Sequence, residues 1–259
     1  MSWIGAEPGS MAELTAAGPA LVHFFDFAQL NSVRTLPYLR EWDSRYAGLG
    51  LAVIGVQSPR FPFGAEEKAV RGGLKRLGLG FPVAIDAGRT LWIDYGCEGW
   101  PSLFLWGQGG ALRWFQFGEG DYLGTELAIQ EELLTVDALR PMPEPMAPLR
   151  PTDAPGARVI APTPELIPAE GRPWTVEDGT GFGVNYEAAG AWATLEGQGG
   201  LRVGLDRGSP REVAVEGAGL YPLARHPDHG AHHLEIEIDP GIAVWAIGFE
   251  PGLAPPDHG

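Results

Sequence analysis

The first 140 residues alternate between short apolar runs and amphipathic stretches. Short runs rich in β-branched and aromatic side chains predict strands, whereas apolar positions that recur every three or four residues predict helices. The predicted strands are residues 20–25, 51–57 and 81–85, the predicted helices are 33–46, 66–77 and 122–134, and a hairpin joins 102–106 to 111–117. The order β-α-β-α-β-β-α predicts an α/β fold with a mixed sheet flanked by helices on both faces.

After residue 173 the pattern changes to short strands between glycine-rich turns. The strands are predicted at residues 174–176, 182–186, 192–195, 201–205, 212–215, 219–224, 233–238 and 242–249. The strand that begins at His233 alternates strictly between polar and apolar positions, so one of its faces is buried and the other solvated. About eight strands at this spacing predict an all-β sandwich or jelly-roll domain.

A proline-rich stretch separates the two patterns. Residues 141–173 hold 10 of the 24 prolines, a density that prevents helix formation and favours an extended segment. We therefore predict a first domain over residues 1–140, a linker over 141–173 and a second domain over 174–259.

Charge and cysteine content exclude several classes of function. The 259 residues carry a formal net charge of −15, mostly after residue 140, so nucleic acids and anionic membrane surfaces are not expected as partners. The single cysteine, Cys97, cannot form an intrachain disulfide or a cysteine-rich zinc site. No apolar run is long enough to span a membrane and no leader precedes the first domain, so the sequence as given predicts a cytoplasmic protein without membrane insertion.

Residues 25–39 (FDFAQLNSVRTLPYL) resemble the turn between a strand and a helix in thioredoxin-like proteins of the TlpA/DipZ group. In that group a Cys-x-x-Cys motif precedes Arg-Thr-Leu-Pro-Tyr-Leu. The turn Gly99-Trp100-Pro101 and residues 117–120 are similar as well. The resemblance implies a thioredoxin-like fold over roughly residues 18–138. Residues 220–223, 233–235 and 240–242 resemble the C-terminal, carbohydrate-binding-module-like domain of DipZ-like proteins, whose family members are exported.

The sequence departs from this family at the residues that carry its chemistry. The two family cysteines align with Gln29 and Ser32, and the family's buried acid aligns with His23. An amide or a hydroxyl has none of the nucleophilicity of a thiolate stabilised at a helix N-terminus. The resemblance therefore implies a degenerate site that has abandoned dithiol exchange.

A groove in such a fold does not need cysteines. In thioredoxin folds the backbone before the cis proline pairs with an extended peptide by strand addition. Phe27, Leu30, Asn31, Trp100 and Pro101 are accordingly predicted to form a groove for a protein or peptide partner. The leading interpretation is a non-catalytic binding or scaffold protein without a cofactor; the simpler one is that Trp100 and Pro101 only form a turn that the fold requires.

An enzymatic alternative depends on Cys97, four residues before Pro101. As a relocated single thiol it would make the protein a relative of thiol-disulfide oxidoreductases or peroxidases. Against this, Cys97 also fits a half-buried position as a small apolar side chain, and Glu98 beside it disfavours the thiolate.

The second domain offers two further ligand hypotheses. His226, His229 and His232, with Asp228 and His233, form a cluster whose imidazoles could bind a transition metal, although a hairpin loop favours adventitious binding or none. The aromatic residues of the domain could stack on a sugar ligand or form its core. These residues are Trp174, Tyr186, Trp192, Tyr221 and Trp245.

Overall fold

A computed structural model describes residues 2–178 and 180–255, apart from the side chain of residue 170. It divides the chain into two compact units, Met1–Pro155 and Gly156–Gly259. The first unit is α/β and the second contains strands and short 3₁₀ turns. The predicted fold class, a thioredoxin-like α/β unit followed by an all-β sandwich, is confirmed.

A six-stranded mixed sheet forms the first unit, with strand order β1-β4-β3-β2-β5-β6. Strands β2, β3 and β4 are parallel, and β1, β5 and β6 join them in antiparallel pairs. The strands are β1 (Ser2–Ile4), β2 (Ala20–Phe25), β3 (Ala52–Gln57), β4 (Val83–Ile85), β5 (Ser102–Trp106) and β6 (Leu112–Phe117). The helices are α1 (Met11–Leu14), α2 (Leu30–Tyr46), α3 (Glu67–Leu77), α4 (Thr90–Asp94) and α5 (Tyr122–Val136).

Helices α2 and α5 pack against each other through aromatic and polar contacts. The rings of Tyr38 and Tyr122 stack with their centroids 3.6 Å apart. Nearby, the buried Glu126 accepts hydrogen bonds from the Tyr46 hydroxyl at 2.6 Å and from the Arg45 guanidinium at 2.9 Å. A buried carboxylate is tolerated because it is paired in this way, and the pairing fixes the position of α2.

Residues 141–155, the first part of the predicted linker, belong to the first unit and pack on α2 and α5. The backbone N–H of Met146 donates to Glu126, and that of Leu149 donates to the Tyr38 hydroxyl. The Arg150 side chain then binds Glu119 at 3.1 Å. These hydrogen bonds replace the secondary structure that the prolines exclude, so the segment is extended yet held to the unit.

The second unit contains β7 (Val159–Ile160), β8 (Gly181–Leu205), β9 (Arg211–Glu216), β10 (Gly219–Ile238), β11 (Ile242–Glu250) and β12 (Gly252–Leu253). The middle of β8 lies between the first part of β10 and β11, whereas the two ends of β8 lie on either side of the last part of β10. Strand β9 pairs with the last part of β8. Strands β8 and β10 are thus long and bent, and each takes part in both sets of pairings. Alternate side chains of these strands fill one apolar core.

Several predicted strands of the second unit are segments of longer ones. Three of them are parts of β8 and two are parts of β10. Residues 174–176 make only an isolated bridge from Trp174 to Val244 before a 3₁₀ turn at Val176–Asp178. Among the residues described, no helix is both long and apolar enough to cross a bilayer.

Candidate functional site

Strand β2 leads through a short turn into α2, and Gln29 is the N-cap of that helix. The Gln29 side-chain oxygen accepts the Ser32 N–H at 2.8 Å and so satisfies one of the free donors at the helix N-terminus. The side chain is 7% exposed. Gln29, which stands where the family has its first cysteine, therefore caps the helix and has almost no contact with solvent.

Ser32 is fully buried, and its hydroxyl accepts the Asp26 N–H at 3.2 Å. A buried hydroxyl engaged in this way has neither the access nor the ionisation needed for nucleophilic attack. Since Cys97 is the only cysteine of the sequence, the turn between β2 and α2 has no thiol.

His23 lies in the middle of β2 with no exposed surface. Its ring stacks on Phe25 with the centroids 5.2 Å apart, and neither ring nitrogen has a hydrogen-bond partner in the part of the chain that the structure covers. Burial lowers the pKa of His23 to about 3, so the imidazole is neutral at physiological pH. A proton relay requires partners that this side chain lacks.

The turn Trp100-Pro101 contains a cis peptide bond. The Trp100 indole N–H donates to the Ser58 carbonyl at 2.8 Å, and its ring stacks on Trp92 with the centroids 4.1 Å apart. The Pro101 carbonyl accepts the Gly118 N–H at 2.8 Å. The indole is therefore held at a fixed place, with part of its surface exposed.

The other predicted groove residues differ in their access to solvent. Phe27 and Leu30 are buried, at 1% and 5% exposure, and the Phe27 ring packs against Phe63. Asn31 and Trp100 are half-buried, whereas Pro101 is buried. The structure thus differs from the expectation of an apolar groove lined by Phe27 and Leu30, because both side chains point into the core beneath the turn.

Cys97 is half-buried and packs against the aromatic cluster that contains Trp92 and Phe104. Burial and, to a smaller extent, the charge of Asp86 raise the pKa of its thiol to about 11. The thiolate is the reactive form, so this environment suppresses thiol chemistry.

His226 and His232 of β10 contact each other and neighbouring side chains through their rings. His226 and His232 stack with their centroids 3.4 Å apart, the Tyr186 hydroxyl binds His226, and Asp206 binds His232 Nδ1, each at 2.8 Å. His229 is half-buried, and its two ring nitrogens are shielded from solvent and have no hydrogen-bond partner among the described residues. No group of three or more histidine, cysteine or carboxylate residues able to hold a metal occurs in ranges 2–178 and 180–255.

The aromatic residues of the second unit are mostly engaged in packing. Tyr186 is buried against Phe249, and the Trp245 indole donates to Glu196. Trp174 also packs against the core, but it lies beside Phe182 at 5.0 Å and lines a cleft of about 420 Å³. Trp192 and Tyr221 are partly buried and do not line this cleft.

Sequence reasoning missed Asp26, which connects the turn to the rest of the site. Its carboxylate accepts the N–H groups of Ala28 and Arg60, each at 2.7 Å. Gln57 holds the same turn, since its side-chain oxygen accepts the Phe27 N–H at 2.9 Å. The available signal was an acid directly after a predicted strand that is apolar except for His23.

Comparisons with known proteins agree with this description. The chain is 32% identical to Protein DipZ of Mycobacterium tuberculosis over 172 residues, which are 66% of this chain and 23% of DipZ. It is 30% identical to NHL repeat-containing protein 2 of Gallus gallus over 122 residues, 46% of this chain and 17% of that protein. No family model matches.

Solved thiol-disulfide proteins match about half of this chain. A thiol-disulfide isomerase from Corynebacterium glutamicum matches with a TM-score of 0.45 and 23% identity, over 51% of this chain and 91% of that one. A putative thiol:disulfide interchange protein DsbE from Chlorobium tepidum matches with a TM-score of 0.44 and 20% identity, over 48% of this chain and 84% of that one.

The first unit is thus thioredoxin-like, with the fold of thiol-disulfide oxidoreductases and no thiol in the turn before α2. The chain is similar to DipZ, and the thioredoxin-like fold of its first unit agrees with that similarity. The match to DipZ is longer than the first unit, so it includes part of the second. The chain spans less than a quarter of the length of DipZ.

Proposed function

We propose that this protein is a redox-inactive, thioredoxin-fold binding module that holds an extended segment of a protein or peptide partner beside Trp100. The observation that carries the proposal is the contrast between two parts of the site. Gln29 and Ser32 are turned inward and hydrogen-bonded, whereas Trp100 is fixed and partly exposed. The side chains at the two cysteine positions of the family are buried, whereas Trp100 is accessible to a partner.

The backbone at Trp100 supports strand addition. Its N–H and C=O make no hydrogen bond to any residue in the described part of the chain, although the neighbouring Gly99 and Pro101 carbonyls are both engaged. Unpaired backbone groups at a fixed turn are what an extended peptide pairs with. The half-buried Asn31, at the start of α2, would then face the bound segment from the opposite rim.

Affinity selection tests this function. Peptides selected on the wild-type protein from a display library of extended sequences should bind equally well to the thiol-free variant Cys97→Ser. They should lose affinity for Asn31→Trp, which fills the groove, and keep it for Glu41→Trp, an exposed position farther along α2. Equal binding to both tryptophan variants would refute the groove, and loss of binding in Cys97→Ser would implicate the thiol.

The oxidoreductase alternative makes a separate prediction. If Cys97 were catalytic, insulin reduction or peroxide consumption by the wild type would exceed that of Cys97→Ser. We expect equal background rates, because the pKa of about 11 leaves about one thiolate in ten thousand at pH 7.

Carbohydrate binding by the second unit is a second candidate function, favoured by the cleft at Trp174. Its lining includes Phe182 and Gly183, so an aromatic surface lies next to a position without a side chain. A flat sugar face would stack there. Retardation of the wild type in affinity gels containing polysaccharides, lost in Trp174→Ala and kept in Trp245→Phe, would support this function; no retardation of the wild type would remove it.

A further inference from the structure

Asp26 connects the two rims of the candidate groove. It has no exposed surface, and each carboxylate oxygen accepts one backbone N–H. Oδ1 accepts from Ala28 in the turn before α2, and Oδ2 accepts from Arg60 in the loop after β3, both at 2.7 Å. One carboxyl group therefore joins segments that are more than thirty residues apart in the sequence.

Each of these segments carries part of the groove. On one side, the Asp26 N–H donates to Ser32 Oγ, so the same residue fixes the first turn of α2. On the other side, the Ser58 carbonyl, two residues before Arg60, accepts the Trp100 indole N–H. A continuous path of hydrogen bonds and short backbone links thus runs from the carboxyl to Trp100.

The charge on this carboxyl decides how many donors it can hold. An ionised carboxylate accepts at both oxygens, whereas the acid form has one hydroxyl that is a donor. With both oxygens facing N–H groups, protonation leaves one of the two donors without a good acceptor. Gln57 Nε2 lies close to Oδ2, beside Gly64, and an amide nitrogen is a further donor rather than an acceptor.

The surroundings place this ionisation within an accessible range of pH. Burial raises the pKa of Asp26 to about 6, and the N–H groups of Arg60 and Ala28, the Arg60 charge and the Gln57 amide limit the rise. The next carboxylate along the network is Asp86, which accepts from the Ser58 hydroxyl at 3.1 Å. Arg60 is therefore the cation that acts on Asp26, and the other groups that act on its carboxyl, the Ala28 N–H and the Gln57 amide, are uncharged.

We propose that Asp26 is a proton-operated positioning residue: its ionised form holds the loop at Arg60, and through it Trp100, in the binding geometry, and protonation releases that loop. The release would weaken binding of an extended peptide in mildly acidic conditions. The weakening of peptide binding rests on the proposed function, whereas the coupling between Asp26 and Trp100 does not.

The distribution of histidines leaves few other groups of the first unit that could titrate near pH 6. Five of the six histidines follow residue 225, and the remaining one, His23, is held neutral with a pKa of about 3. No histidine of the first unit therefore titrates near pH 6. Glu119 is the main competitor, because burial raises its pKa and the adjoining Gly118 is bonded to Pro101.

Nuclear magnetic resonance of the full chain tests the coupling. Between pH 4.5 and 8, the Ala28 and Arg60 amides and the Trp100 indole N–H should shift with one common midpoint near 6. Asp26→Asn, which keeps one oxygen acceptor and cannot ionise, should abolish all three titrations. Glu119→Gln and the exposed control Asp94→Asn should leave the three midpoints unchanged.

Three results would overturn the proposal. A flat Trp100 signal with titrating Ala28 and Arg60 would make Asp26 merely structural, and three flat signals would mean that its carboxyl does not ionise in this range. Midpoints that move in Glu119→Gln would assign the effect to Glu119. If Asp26→Asn does not fold, the titration of the Asp26 carboxyl carbon in the wild type replaces it. A midpoint equal to that of the Trp100 indole N–H would support the coupling, and a different midpoint would overturn it.

Peptide affinity separates this inference from the proposed function. At pH 5 about a tenth of a group with a pKa near 6 is ionised, so a selected peptide should bind about tenfold more weakly than at pH 7. Asp26→Asn should remove this difference. No peptide binding at any pH would refute the proposed function and leave the Trp100 titration standing, whereas equal affinity at both pH values would refute the regulation alone.

Discussion

His23 makes the stability of the first unit depend on pH in a way that one substitution should reveal. In the folded chain its pKa is about 3, against an ordinary value of 6.5. The unfolded chain therefore binds one more proton than the folded chain between these values, and stability falls as the pH falls through this window. Each pH unit within it costs about 1.4 kcal/mol.

Asp26 contributes with the opposite sign over part of the same range. Its folded pKa, about 6, lies above the ordinary 3.8, so it adds stability that is complete below pH 3.8 and is lost as the pH rises through 6. Between pH 4 and 6 the two linkages nearly cancel in the wild type. A variant that lacks only the histidine should therefore become more stable than the wild type as the pH is lowered.

We expect His23→Leu to stabilise the protein by about 1 kcal/mol at pH 8, because two buried nitrogens without partners are replaced by apolar atoms of similar volume. At pH 4 the advantage should be larger by about 3 kcal/mol. Urea denaturation of both proteins at pH 8, 6 and 4 measures the difference, and contributions of the second unit cancel. Val22→Ala, which removes buried apolar atoms from the same strand and no titratable group, is the control and should show no such growth. A difference between His23→Leu and wild type that is constant across pH would refute the buried, neutral state of His23.

Three further substitutions or modifications have specific expected outcomes. Cys97 should react with iodoacetamide at pH 7 about a hundredfold more slowly than a model thiol, since its pKa is about 11; labelling as fast as the model thiol would contradict its burial. Gln29→Cys combined with Ser32→Cys should create insulin-reducing activity that neither single variant has, because a helix N-terminus stabilises a thiolate; an inactive, folded double variant would argue against the alignment. Glu126→Ala should lower the free energy of unfolding by about 3 kcal/mol and speed hydrogen exchange of the Met146 amide, because it removes the acceptor for Tyr46 and Met146, whereas the exposed Glu131→Ala should do neither.

The elements of the first unit could be predicted because their patterns are local. Helix α2 begins three residues before the predicted start at residue 33, since Gln29 caps it although Gln is not a favoured N-cap residue. Strand β1 and helices α1 and α4 are short, and they were not predicted because three to five residues carry too little periodicity.

Glycines explain why the long strands of the second unit were predicted as shorter ones. Residues 197–200 of β8 suggest a turn by composition. In the structure, a Cβ at Gly197 would lie too close to the Gly241 carbonyl of the segment before β11. The glycine therefore permits close approach of two backbones within a continuous strand, which only the tertiary structure reveals.

The candidate site was predicted in part. The aligned positions Gln29, Ser32 and His23 follow from the resemblance, but their burial does not. Asp26 was missed because its importance depends on the Arg60 N–H, which the fold brings to it from another loop. A hydrogen bond to a distant loop has no signature in the sequence, since any acid after a buried strand has the same local pattern.

Amide hydrogen exchange with a selected peptide tests the central claim most directly. The measurement uses the thiol-free variant Cys97→Ser, with and without the peptide, at pH 7. A binding module that works by strand addition at the cis-proline turn predicts slowed exchange of the Trp100 amide on binding, because its N–H gains a partner. Unchanged exchange at Trp100 with protection elsewhere, or loss of binding in the thiol-free variant, would contradict it.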